Sequence, residues 1–124
     1  MTSVVDASVV LAWLQDEPGS DEAERHLMEG IIGAANWSEV LQKVRQHGAQ
    51  PTVVARLLSS FGLQVVEVTG ADAENAANLW QQGCALSLAD RLCLGLGLRV
   101  GLEVVTADAA WKSVPRGPRV TVIR

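Results

Sequence analysis

Asp6 is the only charged residue in VVDASVVLAWL, residues 4–14. An isolated carboxylate moved into apolar surroundings costs on the order of tens of kcal/mol in the idealised Born limit, so it must be solvated, neutralised, paired or bound to a cation. Three further acids share its setting. Glu39 falls in the first turn expected after IIGAAN, Asp90 in the first turn of SLADRLCLGLG, and Asp108 between EVVTA and AAW. Each has a local explanation. Asp6 and Asp108 can serve as helix N-caps. Asn36 with Glu39, and Ser87 with Asp90, fit capping boxes, as do Thr69 and Asp72 elsewhere. Taken together, the acids point further, because clustered carboxylates repel and a divalent cation resolves the repulsion. Oxygen ligands without His or Cys favour magnesium, with manganese as the alternative. Such a centre suits metal-assisted phosphodiester hydrolysis.

The elements that must position these acids alternate. Strand-like runs occur at SVV 3–5, IIGAA 31–35, LQVVEV 63–68, EVVT 103–106 and VTVI 120–123. Helical spacing predicts helices over 8–15, 20–29, 37–47, 52–61, 71–82 and 88–99, with a helical turn after Asp108. The pattern predicts an α/β fold: one open, mostly parallel sheet with helices on both faces. Ligands of such sheets bind outside the carboxyl ends of the strands, where all four acids are expected.

Composition limits the alternatives. The 124 residues, 48% of them hydrophobic, suffice for one domain with its own core. Net charge is −4, which argues against gripping nucleic acid by bulk electrostatics. The charge is uneven: residues 1–30 carry seven acids against Arg25, whereas residues 31–124 carry seven acids against nine Lys and Arg. The later part can therefore accommodate a polyanion. Cys84 and Cys93 form no CxxC pattern and read as small buried side chains of a reducing compartment. No signal-like leader precedes Asp6 and no apolar run approaches membrane-spanning length, so the expected location is the cytoplasm, with no membrane partner.

Over nearly its whole length the chain resembles the PIN-domain ribonucleases, and specifically the VapC toxins of toxin–antitoxin pairs. VVDASVVLAWL is similar to their opening D-x-S strand and helix, NWSEVLQKV to their second acidic block, LSLADRLCLGLG to their third, and VVTAD to their closing T-x-D. The resemblance implies one PIN domain over residues 1–124. It makes Asp6, Glu39, Asp90 and Asp108 the catalytic, magnesium-site acids, with Ser8 and Thr106 as supporting hydroxyls. It also implies an endoribonuclease acting on RNA, a cognate antitoxin protein and a homodimer. In one departure, Cys93, Gly95 and Gly97 replace the family's usual small alanines, which alters the packing of that helix. In another, Arg91 stands where an apolar or small residue is expected. The alternative within the family is a non-catalytic PIN domain acting as a binding or regulatory module. A phosphotransfer domain would need a second acid beside Asp6, which DAS lacks.

Arg91, Trp111 and Lys112 are the candidate RNA contacts near the acids. For Arg91 a surface salt link is the favoured role. Trp13, Trp37, Trp80 and Trp111 are read mainly as core or interface residues, with Trp111 and Trp13 the better stacking candidates. Lys43, Arg45, Arg116 and Arg119 join Lys112 as residues that could line an RNA path, although scattered cations are usually solvated surface. His47 is expected to cap a helix end and His26 to lie on a helix surface.

Overall fold

The structure is a computed structural model that describes residues 2–124. Its elements follow the predicted alternation: β1 (Val4–Val5), α1 (Ala7–Leu14), α2 (Ser20–Leu27), β2 (Ile31–Gly33), α3 (Ala34–Gln46), α4 (Pro51–Ser60), β3 (Gln64–Val66), α5 (Gly70–Asn78), α6 (Leu88–Val100), β4 (Val104–Thr106), a 3-10 turn (Ala109–Ser113) and β5 (Val120–Val122). The five strands are parallel and lie in the order β3-β2-β1-β4-β5. The chain builds outward from β1 in one direction, then returns to add β4 on the other side. Between β1 and β4 the order reverses, which opens a crevice at their carboxyl ends.

Register explains why the strands are apolar on both faces. Val4 sits opposite Ile31 and Val104, and Val5 opposite Ile32 and Val105. Val5, Ile32 and Val105 face one core with side chains from α1 to α4, including Val9, Leu27, Val40 and Leu58. Val4 and Val104 face a second core with Leu79, Leu94, Leu96 and Trp111. Both sheet faces are covered, so no polar alternation is needed. Among the described residues, no helix is long and apolar enough to cross a membrane.

Two boundaries differ from expectation for local reasons. Helix α3 starts at Ala34 rather than 37, because Gly33 serves as its N-cap and the chain turns directly from strand to helix. Helix α5 stops at Asn78 rather than 82, and a turn with Gly83 at φ 78° follows. The glycines of α6 turn out to be tight packing points. A Cβ on Gly95 would stand 2.9 Å from the Asp72 carbonyl oxygen, and one on Gly97 would stand 2.6 Å from Val104 Cγ2. Helix α5 also carries a buried acid with its own cation: Asp72 completes a capping box with Thr69 and accepts from Arg99 Nε at 2.6 Å.

Gly95→Ala gains helix propensity of about 1 kcal/mol, but it forces α5 away from α6 through a backbone atom that cannot rotate aside. The expected outcome is a net loss of about 1–2 kcal/mol in urea unfolding, with the slope m unchanged.

Candidate active site

Asp6 leaves β1 and caps α1. Its Oδ1 accepts from the amides of Ser8 at 2.8 Å and Val9 at 3.3 Å, and from Ser8 Oγ at 2.5 Å. Among the described residues its Oδ2 accepts only from Thr106 Oγ1, at 3.0 Å, from the last residue of β4. Each hydroxyl is in turn fixed by the chain leaving β4. Ser8 Oγ accepts from the Ala107 amide at 2.8 Å, and Thr106 Oγ1 from the Asp108 amide at 3.0 Å. The two hydroxyls therefore stitch the ends of β1 and β4 together across the crevice, with the carboxylate between them. Asp6 is only 5% exposed, and burial pushes its acid up from 3.8 to about 6 despite the hydrogen bonds that oppose the shift.

The other three acids reach the same end of the sheet by different routes. Asp90 completes the predicted capping box: its Oδ2 accepts from the Ser87 amide at 3.0 Å, and its own amide donates to Ser87 Oγ at 3.1 Å. Asp108 caps the 3-10 turn, accepting from the Ala110 amide at 2.9 Å, and is exposed. The Asn36–Glu39 box predicted for α3 does not form. With α3 beginning at Ala34, Asn36 lies inside the helix and Glu39 in its second turn. Asn36 is buried and its Nδ2 donates to both Glu39 Oε1 at 3.3 Å and the Ala89 carbonyl at 3.2 Å. It thereby ties Glu39 to the first turn of α6, beside Asp90. Burial raises the Glu39 acid and the neighbouring Asp90 charge adds to this, while the Asn36 bond and the Lys43 charge oppose it.

The acids also act on Cys93. Its buried thiol is pushed well up, first by burial and then by the charges of Asp6, Asp90 and Glu39. Three of the four acids thus lie within electrostatic reach of Cys93. Their oxygens do not meet there: among the described residues, no three His, Cys, Asp or Glu side chains are grouped closely enough to hold a metal. Asp90 and Asp108 are turned into their caps instead. The ion pairs of the described residues engage Glu17, Glu22, Asp72 and Glu103, and none of the four site acids. Buried Asp72 has Arg99; equally buried Asp6 has only neutral donors. An all-oxygen donor set without a cation of its own fits a hard divalent ion by its chemistry.

The candidate RNA contacts separate. Trp111 is 1% exposed and packs in the core beneath the sheet, so it supports the fold and cannot stack on a base. Arg91 makes no salt link; its Nη1 donates to the Ala76 carbonyl at 2.9 Å and its Nε is buried without a partner among the described residues. It joins α6 to α5. Lys112 is exposed on the 3-10 turn. Trp13 packs edge-on against Phe61, whereas Trp80, at the end of α5, is 55% exposed. Cys84 is partly exposed rather than buried. His26 is also partly buried, with Nδ1 3.2 Å from Ser3 Oγ. Asn36 is the positioning residue that sequence reasoning misread. Its i, i+3 spacing to Glu39 was visible, but placing the pair inside the helix needed the true start of α3.

The sequence profile of the PIN domain family matches residues 3–117. No curated protein sequence matches the chain. Among solved structures, the chain is similar to a toxin–antitoxin complex from Klebsiella pneumoniae, at 18% identity over 98% of each chain and a TM-score of 0.79. It is also similar to VapBC2 from Rickettsia felis bound to a promoter DNA fragment, at 14% identity over 98% of each chain and a TM-score of 0.75. A third likeness is to VapC20 of Mycobacterium tuberculosis, a sarcin–ricin loop cleaving toxin, at 14% identity, 93% of this chain, 95% of that one and a TM-score of 0.73. At these identities the likeness is one of fold.

The raised Asp6 acid gives a signed stability prediction. The folded protein holds this proton more tightly than the unfolded chain, so burial of the carboxylate costs stability above about pH 6, and the cost is relieved as pH falls toward 4. In chelator, Asp6→Asn should be more stable than wild type by about 1–3 kcal/mol at pH 8, with the gap closing near pH 4. Urea unfolding across that range checks this, and a gap independent of pH would contradict it.

Proposed function

The chain belongs to the PIN-domain family, and on that premise we propose that it is a magnesium-dependent endoribonuclease acting as the toxin of a type II toxin–antitoxin pair. The observation that carries the reading is the buried Asp6 carboxylate at the β1–β4 crevice, which among the described residues forms no ion pair. Asp6, Glu39, Asp90 and Asp108 would hold the magnesium or manganese ion. When bound, the ion supplies Lewis-acid stabilisation of a phosphodiester and a water of lowered pKa.

The chain's own contribution is orientation and charge. Asp6 Oδ1 is occupied by three donors, whereas Oδ2 has one and keeps capacity for a ligand. Ser8 and Thr106 fix the plane of that carboxylate, and Asn36 fixes Glu39 against α6. Asp90 and Asp108 join the set by turning out of their caps, each cap contributing about 1 kcal/mol.

The toxin assignment draws support from the solved structures of similar fold, which include a toxin–antitoxin complex and a VapBC assembly on promoter DNA. The partners proposed are therefore a cognate antitoxin protein and a second copy of the chain, in the cytoplasm. A second reading, a non-catalytic PIN domain that serves as a binding module, is favoured by one observation: Asp90 and Asp108 are engaged in caps rather than aimed at a common point.

Incubation with total cellular RNA separates the two. The expected outcome is cleavage with magnesium, none with chelator, and none by Asp6→Asn or Asp90→Asn. Ser8→Ala and Thr106→Val should retain activity reduced about 10- to 100-fold, as for groups that orient a ligand. Cleavage that survives chelator and both acid variants would overturn the metal–carboxylate mechanism, and no cleavage by the wild type would favour the binding module.

A further inference from the structure

Beside Asp6 a cleft of about 280 Å³ opens between α1 and α3. Its polar lining is Ser8, Gln15, Glu17, Lys43, His47 and Arg124. Resting on the ribonuclease reading, we propose that this cleft carries the RNA strand away from the scissile bond, with Lys43 and His47 holding phosphates on the flanking nucleotides.

The placement follows from helix geometry. Glu39, Lys43 and His47 recur at i, i+4 and i+8 of α3 and its C-cap, so they lie on one face about 6 Å apart along the axis. The row begins at a site acid and continues with two groups that can carry positive charge. Lys43 is near enough for its charge to act on Glu39, yet among the described residues neither Lys43 nor His47 takes part in an ion pair. Both are exposed. His47 is held by its own helix: Nδ1 donates to the Lys43 carbonyl at 2.8 Å, which leaves Nε2 for an outside partner. Across the cleft, Ser8 and Gln15 lie on α1 and its C-cap, and Arg124 is pinned by Glu17 and the Pro18 carbonyl. Arg124 is therefore already neutralised, and the available charge is on the α3 wall.

A strand laid along α3 meets one such group per turn, starting from the acids. This arrangement suits a flexible polyanion. The cleft continues into an apolar groove through Leu14, Val44 and Val54, which a protein segment could enter; the phosphate reading concerns the polar end next to Ser8.

The test measures binding without cleavage. In the Asp6→Asn background, a fluorescent single-stranded RNA 12-mer of mixed sequence is titrated at several salt concentrations. Lys43→Ala should weaken binding roughly 5-fold at low salt and lower the slope of log K against log salt by about 0.7, the loss of one single-strand phosphate contact. Lys43→Arg should restore both. His47→Ala should also weaken binding at low salt. Arg45→Ala, on another face of α3, should leave binding within about twofold, since bulk charge alone carries little here. Equal losses for Lys43→Ala and Arg45→Ala, or an unchanged salt slope, would overturn the proposal. So would variants that lose affinity for a cognate antitoxin while keeping full RNA affinity. A wild type that binds RNA with these slopes but does not cleave it would defeat the nuclease reading and leave the cleft assignment standing.

Discussion

The site is built around a carboxylate that burial disfavours and that the chain does not neutralise. Asp6 sits where β1 ends, between two apolar cores, and among the described residues it is held only by amides and hydroxyls. Those donors direct its oxygens and limit the cost of burial, but burial still outweighs them, as the raised acid shows. Asp72 gives the contrast within the same molecule. It is just as buried, completes a similar local motif, and has Arg99 at 2.6 Å. The difference between the two acids is one guanidinium.

Topology explains why that difference falls where it does. A parallel sheet whose order reverses between β1 and β4 leaves both strand ends without a covering loop at the reversal, and the chain leaving each strand turns away from the other. Ser8 and Thr106 close that gap with hydroxyl groups. A hydroxyl both accepts and donates, so one small side chain can satisfy a backbone amide from one element and a carboxylate from another. Alanine at either position would take an acceptor from a backbone amide and a donor from the carboxylate.

Much of this was legible in the sequence because it is local. The β-branched runs located all five strands, and the acids at their ends followed from the alternation of elements. The capping roles of Ser87 and Asp90 depend on neighbours three residues away. What was not legible depends on packing between distant elements. Asn36 reads as a cap from its spacing, and only the direct passage from Gly33 into α3 carries it inside the helix, where it meets Ala89. Trp111 reads mainly as a core residue, and only its nearness in sequence to Asp108 also makes it a stacking candidate; one turn of 3-10 helix places it in the core. Arg91 reads as solvent-facing from helix geometry, yet the close approach of α5 brings the Ala76 carbonyl to it. In each case, tertiary contact decided the orientation of a side chain whose position was already known.

The two capping boxes on successive helices, Thr69–Asp72 and Ser87–Asp90, also bear on how this fold can change over time. They share a motif and differ in whether a basic side chain from elsewhere reaches the acid. Gaining such a side chain beside the second box would convert a ligand-seeking corner into an inert ion pair without disturbing any backbone hydrogen bond. For a scaffold of this kind, the charge of one corner can change while the backbone hydrogen bonds that define the fold stay as they are.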